Sequence, residues 1–166
     1  MNNNKSILTV LILIGSLNLL LTTWLVFDSH RPTRLNGNAN EISPLPAELS
    51  ATKREAIFQQ IKNLYNAQDF DGLYAVFSRD VQVQIPKAEF IESIKKMKST
   101  FDNIEDGAYS YYEFVGNQGG GKIYNLYYTV RLPKSIMSPK GSLKVGVTVT
   151  EGNVGIYGIF LNSLTQ

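Results

Sequence analysis

The spacing of apolar residues divides the chain into three parts. Within an N-terminal segment, 1–27, an apolar run from Ile7 to Phe27 contains no charged residue. A helix of this length matches the ~30 Å hydrocarbon core of a bilayer, so the run predicts a transmembrane helix at 7–27. Residues 28–46 are rich in Asn, Pro, Ser and Gly without an apolar period, which predicts a flexible linker. One folded domain is expected at 47–166.

The apolar run has two interpretations, a cleaved signal peptide and an uncleaved anchor. A signal peptide has a shorter apolar region, about 7–15 residues, followed by small residues at a cleavage site. Here the run is longer, and the segment WLVFDSH at its C-terminal boundary contains no such site, so an anchor is favoured. The short arm before a large domain then favours a single-pass protein of the cytoplasmic (inner) membrane. Its C-terminal domain is expected outside the cytoplasm.

The first half of the domain has the periodicity of helices. A first helix, with one apolar face, is predicted to end at 66–69, and Asp69 or Asp71 can cap a short second helix. The alternation in Val81–Ile85 predicts a short strand, and Pro86 then begins a third helix. The apolar faces of the first and third helices are formed by Ile57, Phe58, Ile61, Leu64 and Tyr65, and by Phe90, Ile91, Ile94, Met97 and Phe101.

The second half changes to a period of two residues, which is typical of strands. Four alternating segments joined by short turns lie at 108–115, 122–132, 143–150 and 154–161. Consecutive strands with short turns form an antiparallel meander, and helices followed by strands indicate an α+β fold. We therefore expect three helices packed on a curved antiparallel sheet of about four strands, preceded by the transmembrane helix.

Three segments of this order resemble the nuclear transport factor 2-like superfamily. They are YNAQDFDGLYAVFS at 65–78, KAEFIESIKKMKSTFDNIEDG at 87–107 and GNVGIYGIFL at 152–161, and the resemblance spans 52–161. The resemblance implies the cone-shaped fold of ketosteroid isomerases and polyketide cyclases, and is greatest to small exported bacterial members of unknown function. Enzymes of the superfamily place an Asp, Tyr or His inside the cone. This domain has no His, and no Asp of 69, 71 or 80 can be matched to a catalytic carboxylate.

Composition removes several classes of function. The chain has no Cys and one His, at position 30 in the predicted linker, which excludes thiolate chemistry and His clusters. We expect no catalytic residue, no metal site and no cofactor. A net charge of +2 is too small to indicate a nucleic-acid partner.

Tyrosine is the most unusual feature, with nine in the chain and six on two adjacent predicted strands. They suggest an aromatic pocket for a small apolar ligand, although tyrosine is also common in ordinary strands. Glu113, in the same aromatic strand, is either a buried acid or base, or an outward-facing side chain. The candidate ligand-binding residues are Tyr65, Tyr74, Tyr112, Tyr124 and Tyr128.

Two further patterns are less specific. Gly119–Lys122 resembles part of a phosphate-binding loop, but a strand rather than a helix follows it, so a turn is expected. Lys134, Lys140 and Lys144 predict either contact with anionic lipid or an acidic partner, or a solvated loop.

Three classes of function follow. The leading hypothesis is a non-enzymatic, membrane-anchored accessory domain that binds a partner protein or a small apolar ligand. The second is a scaffold subunit of a membrane machine such as a secretion system, dimerising through its sheet. The third is an isomerase- or cyclase-type enzyme acting through a Tyr or a carboxylate.

Overall fold

The computed structural model describes residues 45–163. The predicted transmembrane helix at 7–27, and the predicted linker apart from its last two residues, lie outside the described residues. Within 45–163, no helix is both long and apolar enough to cross a membrane.

Helices form the first half of the described chain, as predicted. A short 3-10 helix at Ala47–Leu49 precedes α1 (Ala51–Asn66), α2 (Phe70–Ala75), α3 (Arg79–Gln84) and α4 (Lys87–Phe101). The predicted cap of the second helix is confirmed, because the Asp69 carboxylate accepts a hydrogen bond from the Gly72 amide at 2.8 Å.

The predicted strand at Val81–Ile85 is wrong, since α3 occupies most of this segment. The alternating apolar residues do not form a buried strand face, because Val83 is 78% exposed and Ile85 is 40% exposed. Local hydrogen bonds instead form a helical turn, in which the Ile85 amide donates to the Val81 carbonyl at 2.8 Å. The side-chain amide of Gln82 also donates to the carbonyls of Tyr74 and Phe77, at 3.1 and 2.9 Å, and thereby fixes α3 against the end of α2. The domain therefore has four α-helices in its described part, not three.

The predicted antiparallel meander is confirmed. The strands are β1 (Asp106–Gln118), β2 (Gly121–Arg131), β3 (Lys140–Thr150) and β4 (Asn153–Ser163), in the order β1-β2-β3-β4. Strands β1, β3 and β4 are longer than their alternation predicted, and β2 is shifted by one residue toward the N-terminus. The Gly119–Lys122 segment forms the β1–β2 turn and the start of β2, as expected, with φ values of +59° at Gly119 and +81° at Gly120. The fold is α+β.

The helices pack on one face of the sheet, which we call the inner face. Tyr124, Leu126 and Tyr128 of β2 are fully buried there, and the ring of Phe58 in α1 stacks on Tyr128 with centroids 5.1 Å apart. The opposite side, which we call the outer face, carries the alternate residues of each strand. Along β2 the residues at 124, 126, 128 and 130 are buried, and those at 123, 125, 127, 129 and 131 are less buried and lie on the opposite face.

Two connections fix the helical layer to the sheet. The Asn66 side chain at the end of α1 donates to the Ile104 carbonyl and accepts from the Ile104 amide, at 2.7 and 2.9 Å. Phe77 forms an isolated parallel bridge with Ile156 of β4. Because Ile104 lies just before β1, these contacts position the helices against both edge strands.

Candidate functional site

The predicted tyrosines on the inner face are core residues. Tyr124 and Tyr128 have no exposed surface, and the Tyr128 hydroxyl donates to the Arg54 carbonyl at 2.9 Å. Burial is the main cause that raises the pKa of Tyr128, so the phenol stays protonated. The Arg54 guanidinium, in turn, lies 4.1 Å from the centre of the Tyr109 ring and donates to the Leu49 carbonyl at 2.9 Å. Tyr128 and Arg54 thus join α1 to the sheet.

The two helical tyrosines have other surroundings. The Tyr74 hydroxyl lies 2.8 Å from the carbonyl oxygens of Gln82 and Ile85, where it donates and closes the end of α3. Tyr65 is buried, with the Lys98 ammonium 4.8 Å from its ring centre. Burial first, and then the charge of Asp102, raise the pKa of Tyr65. The hydroxyl of Tyr65 has no hydrogen-bond partner among the described residues.

One pair of predicted residues is brought together. The rings of Tyr112 and Tyr124 meet edge to face with centroids 6.2 Å apart, and Phe114 lies 5.3 Å from Tyr124. The Tyr124 hydroxyl is buried without a hydrogen-bond partner in the described part of the chain. The ring contacts of Tyr65, Tyr74 and Tyr128 involve other residues. Ligand binding by the five tyrosines stays a prediction.

A second group of polar and aromatic side chains lies on the outer face, and we call it the outer-face cluster. The Glu113 carboxylate accepts hydrogen bonds from the Tyr127 hydroxyl at 3.0 Å and from the Asn125 amide at 3.3 Å. The Tyr157 hydroxyl donates to the Asn125 side-chain oxygen at 2.7 Å. Tyr111 stacks on Tyr127 with centroids 4.4 Å apart and planes at 11°. The members are Tyr111, Glu113, Asn125, Tyr127 and Tyr157.

Strand register explains how these side chains meet. Tyr111 is opposite Tyr127, and Glu113 is opposite Asn125, in the β1–β2 ladder. A bulge between Tyr109 and Tyr111 skips Ser110, so that Tyr109 faces inward and Tyr111 outward. Of the two interpretations of Glu113, the outward-facing one is confirmed, because its side chain is exposed.

A second bulge places Tyr157. The β3–β4 register shifts between Gly146 and Val147, and the Tyr157 ring lies across Gly146. A Cβ atom at position 146 would be 2.4 Å from the ring carbon that carries the hydroxyl, so only glycine fits beneath the ring. Gly146 therefore permits the contact between Tyr157 and Asn125.

The outer-face cluster contains one carboxylate, that of Glu113, and two phenols whose pKa values are raised. Burial first, and then the Glu113 charge, raise the pKa of Tyr157 to about 12. The same two causes, in the same order, raise the pKa of Tyr127. Both phenols are therefore protonated at neutral pH and act as hydrogen-bond donors.

The outer-face cluster is open to solvent and bordered by further aromatic and charged groups. Tyr111 is 57% exposed and Phe160 is 40% exposed, with the Lys144 ammonium 5.5 Å from the Phe160 ring centre. Lys144 is opposite Tyr127 on one side and Phe160 on the other. Within 45–163, no group of three or more His, Asp or Glu side chains is arranged to hold a metal ion.

Sequence reasoning did not identify this cluster as a site. The alternation of β2 placed Asn125 and Tyr127 on one face, and the tyrosine count drew attention to both strands. The partnership with Glu113 depends on the bulge at Ser110, however, and that with Tyr157 depends on the bulge at Gly146. A single sequence carries no clear signal for either bulge.

Two solved structures among those that match this chain are distant neighbours. No protein-family model matches the sequence, and a comparison with curated proteins found no match. Among solved structures, Aln2 from a Streptomyces species is 12% identical with a TM-score of 0.49, over 72% of this chain and 94% of Aln2. Bd1075 from Bdellovibrio bacteriovorus is 10% identical with a TM-score of 0.41, over 69% of this chain and 41% of Bd1075. Similarity at this level carries no inference about function.

Proposed function

We propose that this chain is a membrane-anchored binding protein without catalytic activity, whose folded domain engages a partner protein through the outer-face cluster. The apolar run at 7–27 is its anchor, 28–46 is a tether, and the domain lies outside the cytoplasm. We assign the domain to the cone-shaped nuclear transport factor 2-like superfamily. The order of helices followed by a four-stranded meander is consistent with that assignment.

The observation that carries the proposal is a rigid polar and aromatic cluster on an open sheet face. Three hydrogen bonds and one ring stack hold Tyr111, Glu113, Asn125, Tyr127 and Tyr157 in fixed positions. Side chains that are already ordered lose little conformational entropy when a partner binds. Tyrosine is also enriched in protein interfaces, because it combines apolar area with a hydroxyl.

The chemistry of the cluster indicates what the partner presents. Glu113 is its one carboxylate, so an Arg or Lys of the partner can pair with it. The exposed ring of Tyr111 offers a flat surface for a guanidinium or an aromatic side chain. Lys144 and Phe160, at the border, suit an acidic or apolar rim.

The pKa values of the tyrosines argue against one catalytic role, that of general base. A tyrosine that acts as a general base needs a lowered pKa, whereas the pKa values of Tyr65, Tyr127, Tyr128 and Tyr157 are raised. The described residues also include no buried charged side chain. This interior favours the binding hypothesis over the isomerase or cyclase alternative.

Photo-crosslinking in native membranes tests the proposal. A benzoylphenylalanine at position 111 of the full chain should give one discrete crosslinked product, and Glu113→Ala should abolish it. Position 83 is the matched control, because Val83 is exposed but lies on α3, and it should give no such product. A product of twice the chain mass would instead support the scaffold alternative. Equal crosslinking at both positions, or none at 111, would refute the proposal.

A small apolar ligand is the second candidate, favoured by one observation. The buried Tyr124 hydroxyl lacks a partner among the described residues, and a bound polar atom beside Tyr112 could supply one. Native mass spectrometry of residues 41–166 tests this. A reproducible extra mass that Tyr124→Phe removes would support the ligand, and an unmodified mass would eliminate it.

A further inference from the structure

The loop between β2 and β3 presents two large apolar side chains to solvent. Ile136 is 80% exposed and Met137 is 64% exposed, at the tip of residues 132–139, which we call the β2–β3 loop. The two side chains are adjacent and form one exposed apolar patch, with the Met137 sulfur 3.8 Å from the Ser163 hydroxyl of β4. The pair therefore needs a structural or a functional explanation.

The loop backbone holds the pair outward. The Leu132 amide donates to the Pro139 carbonyl at 2.8 Å, which closes the base of the loop, and Leu132 itself is fully buried. The Ile136 amide donates to the Thr100 carbonyl of α4 at 3.3 Å. The Ser135 hydroxyl oxygen accepts from the Met137 amide at 3.2 Å. These bonds fix the path of the loop at its base and tip, and in that path Ile136 remains exposed.

Cations flank the apolar tip. Lys134 and Lys140 are exposed, and neither forms an ion pair with an acidic side chain of the described chain. Arg131, opposite Lys140 in the ladder, is already paired with Glu105 at 2.7 Å. The tip therefore carries two unneutralised ammonium groups, one on each side of two apolar side chains.

This arrangement fits a bilayer surface better than a protein. A stable protein interface needs about 800 Å² on each partner, far more than two side chains at a protruding tip provide. A bilayer needs no shape complementarity. It accepts apolar side chains below the headgroups, while lysines extend their stems and keep their charges at the phosphates.

We propose that the β2–β3 loop is a second membrane contact, in which Ile136 and Met137 enter the interface and Lys134 and Lys140 bind anionic lipid headgroups. The contact goes beyond the proposed partner binding and uses a different surface. With an anchor at one end of the tether, it would fix the orientation of the domain on the bilayer. It would leave the outer-face cluster for the partner.

A fluorescent probe in the full chain tests the contact, because the chain contains no native cysteine. Ile136→Cys is labelled with an environment-sensitive nitrobenzoxadiazole dye and reconstituted in two kinds of vesicle, phosphatidylcholine alone and phosphatidylcholine with phosphatidylglycerol. We expect brighter, blue-shifted emission in the anionic vesicles, and quenching by spin-labelled acyl chains. Val83→Cys, labelled in the same way, is the control and should keep the emission of an aqueous site.

Charge variants test the headgroup contribution. Each lysine near an anionic surface changes partitioning by about fivefold, so Lys134→Gln and Lys140→Gln should each lower the inserted fraction by up to that factor. Far-UV circular dichroism confirms that the variants fold. Vesicle flotation separately reports whether the chain is held by its anchor. A chain that floats while the label at 136 stays aqueous in both vesicles overturns the loop proposal and leaves the anchor standing.

Discussion

Gly146 lies beneath the Tyr157 ring, and replacing it with alanine tests the geometry of the outer-face cluster. The new Cβ would lie 2.4, 2.6 and 2.8 Å from three ring carbons. Because the Tyr157 hydroxyl is tied to Asn125 at 2.7 Å, the ring cannot move away without losing that hydrogen bond. Gly146→Ala should therefore disturb the domain through one identifiable contact.

The expected magnitude is a balance of two effects. Overpacking costs about 1–3 kcal/mol when a neighbour must shift. Replacing glycine with alanine also restricts the unfolded chain, which stabilises the folded state by about 0.4–1 kcal/mol where the backbone is compatible. No left-handed φ occurs at Gly146, so that gain applies. Gly146→Ala should thus lower the free energy of unfolding by up to about 2.6 kcal/mol.

A double-mutant cycle isolates the contact. In a Tyr157→Ala background the ring is gone, so Gly146→Ala should become neutral or stabilising. Tyr157→Phe keeps the ring but removes the hydrogen bond that restrains it, so Gly146→Ala should remain destabilising there by a smaller amount. Urea unfolding followed by far-UV circular dichroism measures all variants on residues 43–166. An equal effect of Gly146→Ala in every background would refute the stacked geometry.

Three other predictions concern single hydrogen bonds and one titrating group. Tyr128→Phe should lower the free energy of unfolding by about 1 kcal/mol, because it removes a hydrogen bond to the Arg54 carbonyl. Tyr124→Phe should be neutral or stabilising, because the buried Tyr124 hydroxyl has no partner among the described residues. Urea midpoints compare the two variants, and an equal loss of stability would contradict the assignment. The pKa of Tyr157 is raised to about 12 in the folded domain, so its contribution to stability is complete below about pH 10 and is lost as pH rises toward 12. Unfolding midpoints measured between about pH 9 and 12 should therefore fall less in Tyr157→Phe than in the unmodified domain. Parallel curves for the two proteins would exclude this linkage. Asn66→Ala should lower the free energy of unfolding by about 1–3 kcal/mol, since both hydrogen bonds to Ile104 are lost. Asn63→Ala, at an exposed position of α1, is the control in the same thermal or chemical unfolding measurement. Equal losses of stability in the two variants would show that the two bonds contribute nothing.

The sequence was sufficient for the elements whose period is strong. The apolar faces of α1 and α4 and the meander follow from local patterns, because each pattern is produced by burial against the same core. The Asp69 cap follows from a local hydrogen bond to a free backbone amide. Val81–Ile85 shows where this fails. Its alternation imitates a strand, but no neighbouring strand is available to pair with it, so local hydrogen bonds make it helical.

The outer-face cluster shows a second reason why the sequence alone does not predict the candidate site. Alternation assigns a face to every residue of an ideal strand, but each bulge reverses that assignment for the residues beyond it. Counting by twos from Tyr109, which faces inward, would put Tyr111 and Glu113 inward as well. The bulge at Ser110 turns both outward, where Tyr127 and Asn125 meet them. The bulge beside Gly146 does the same for Tyr157. The candidate site is therefore built from the irregularities of the sheet, and its position follows from the register rather than from the residue types.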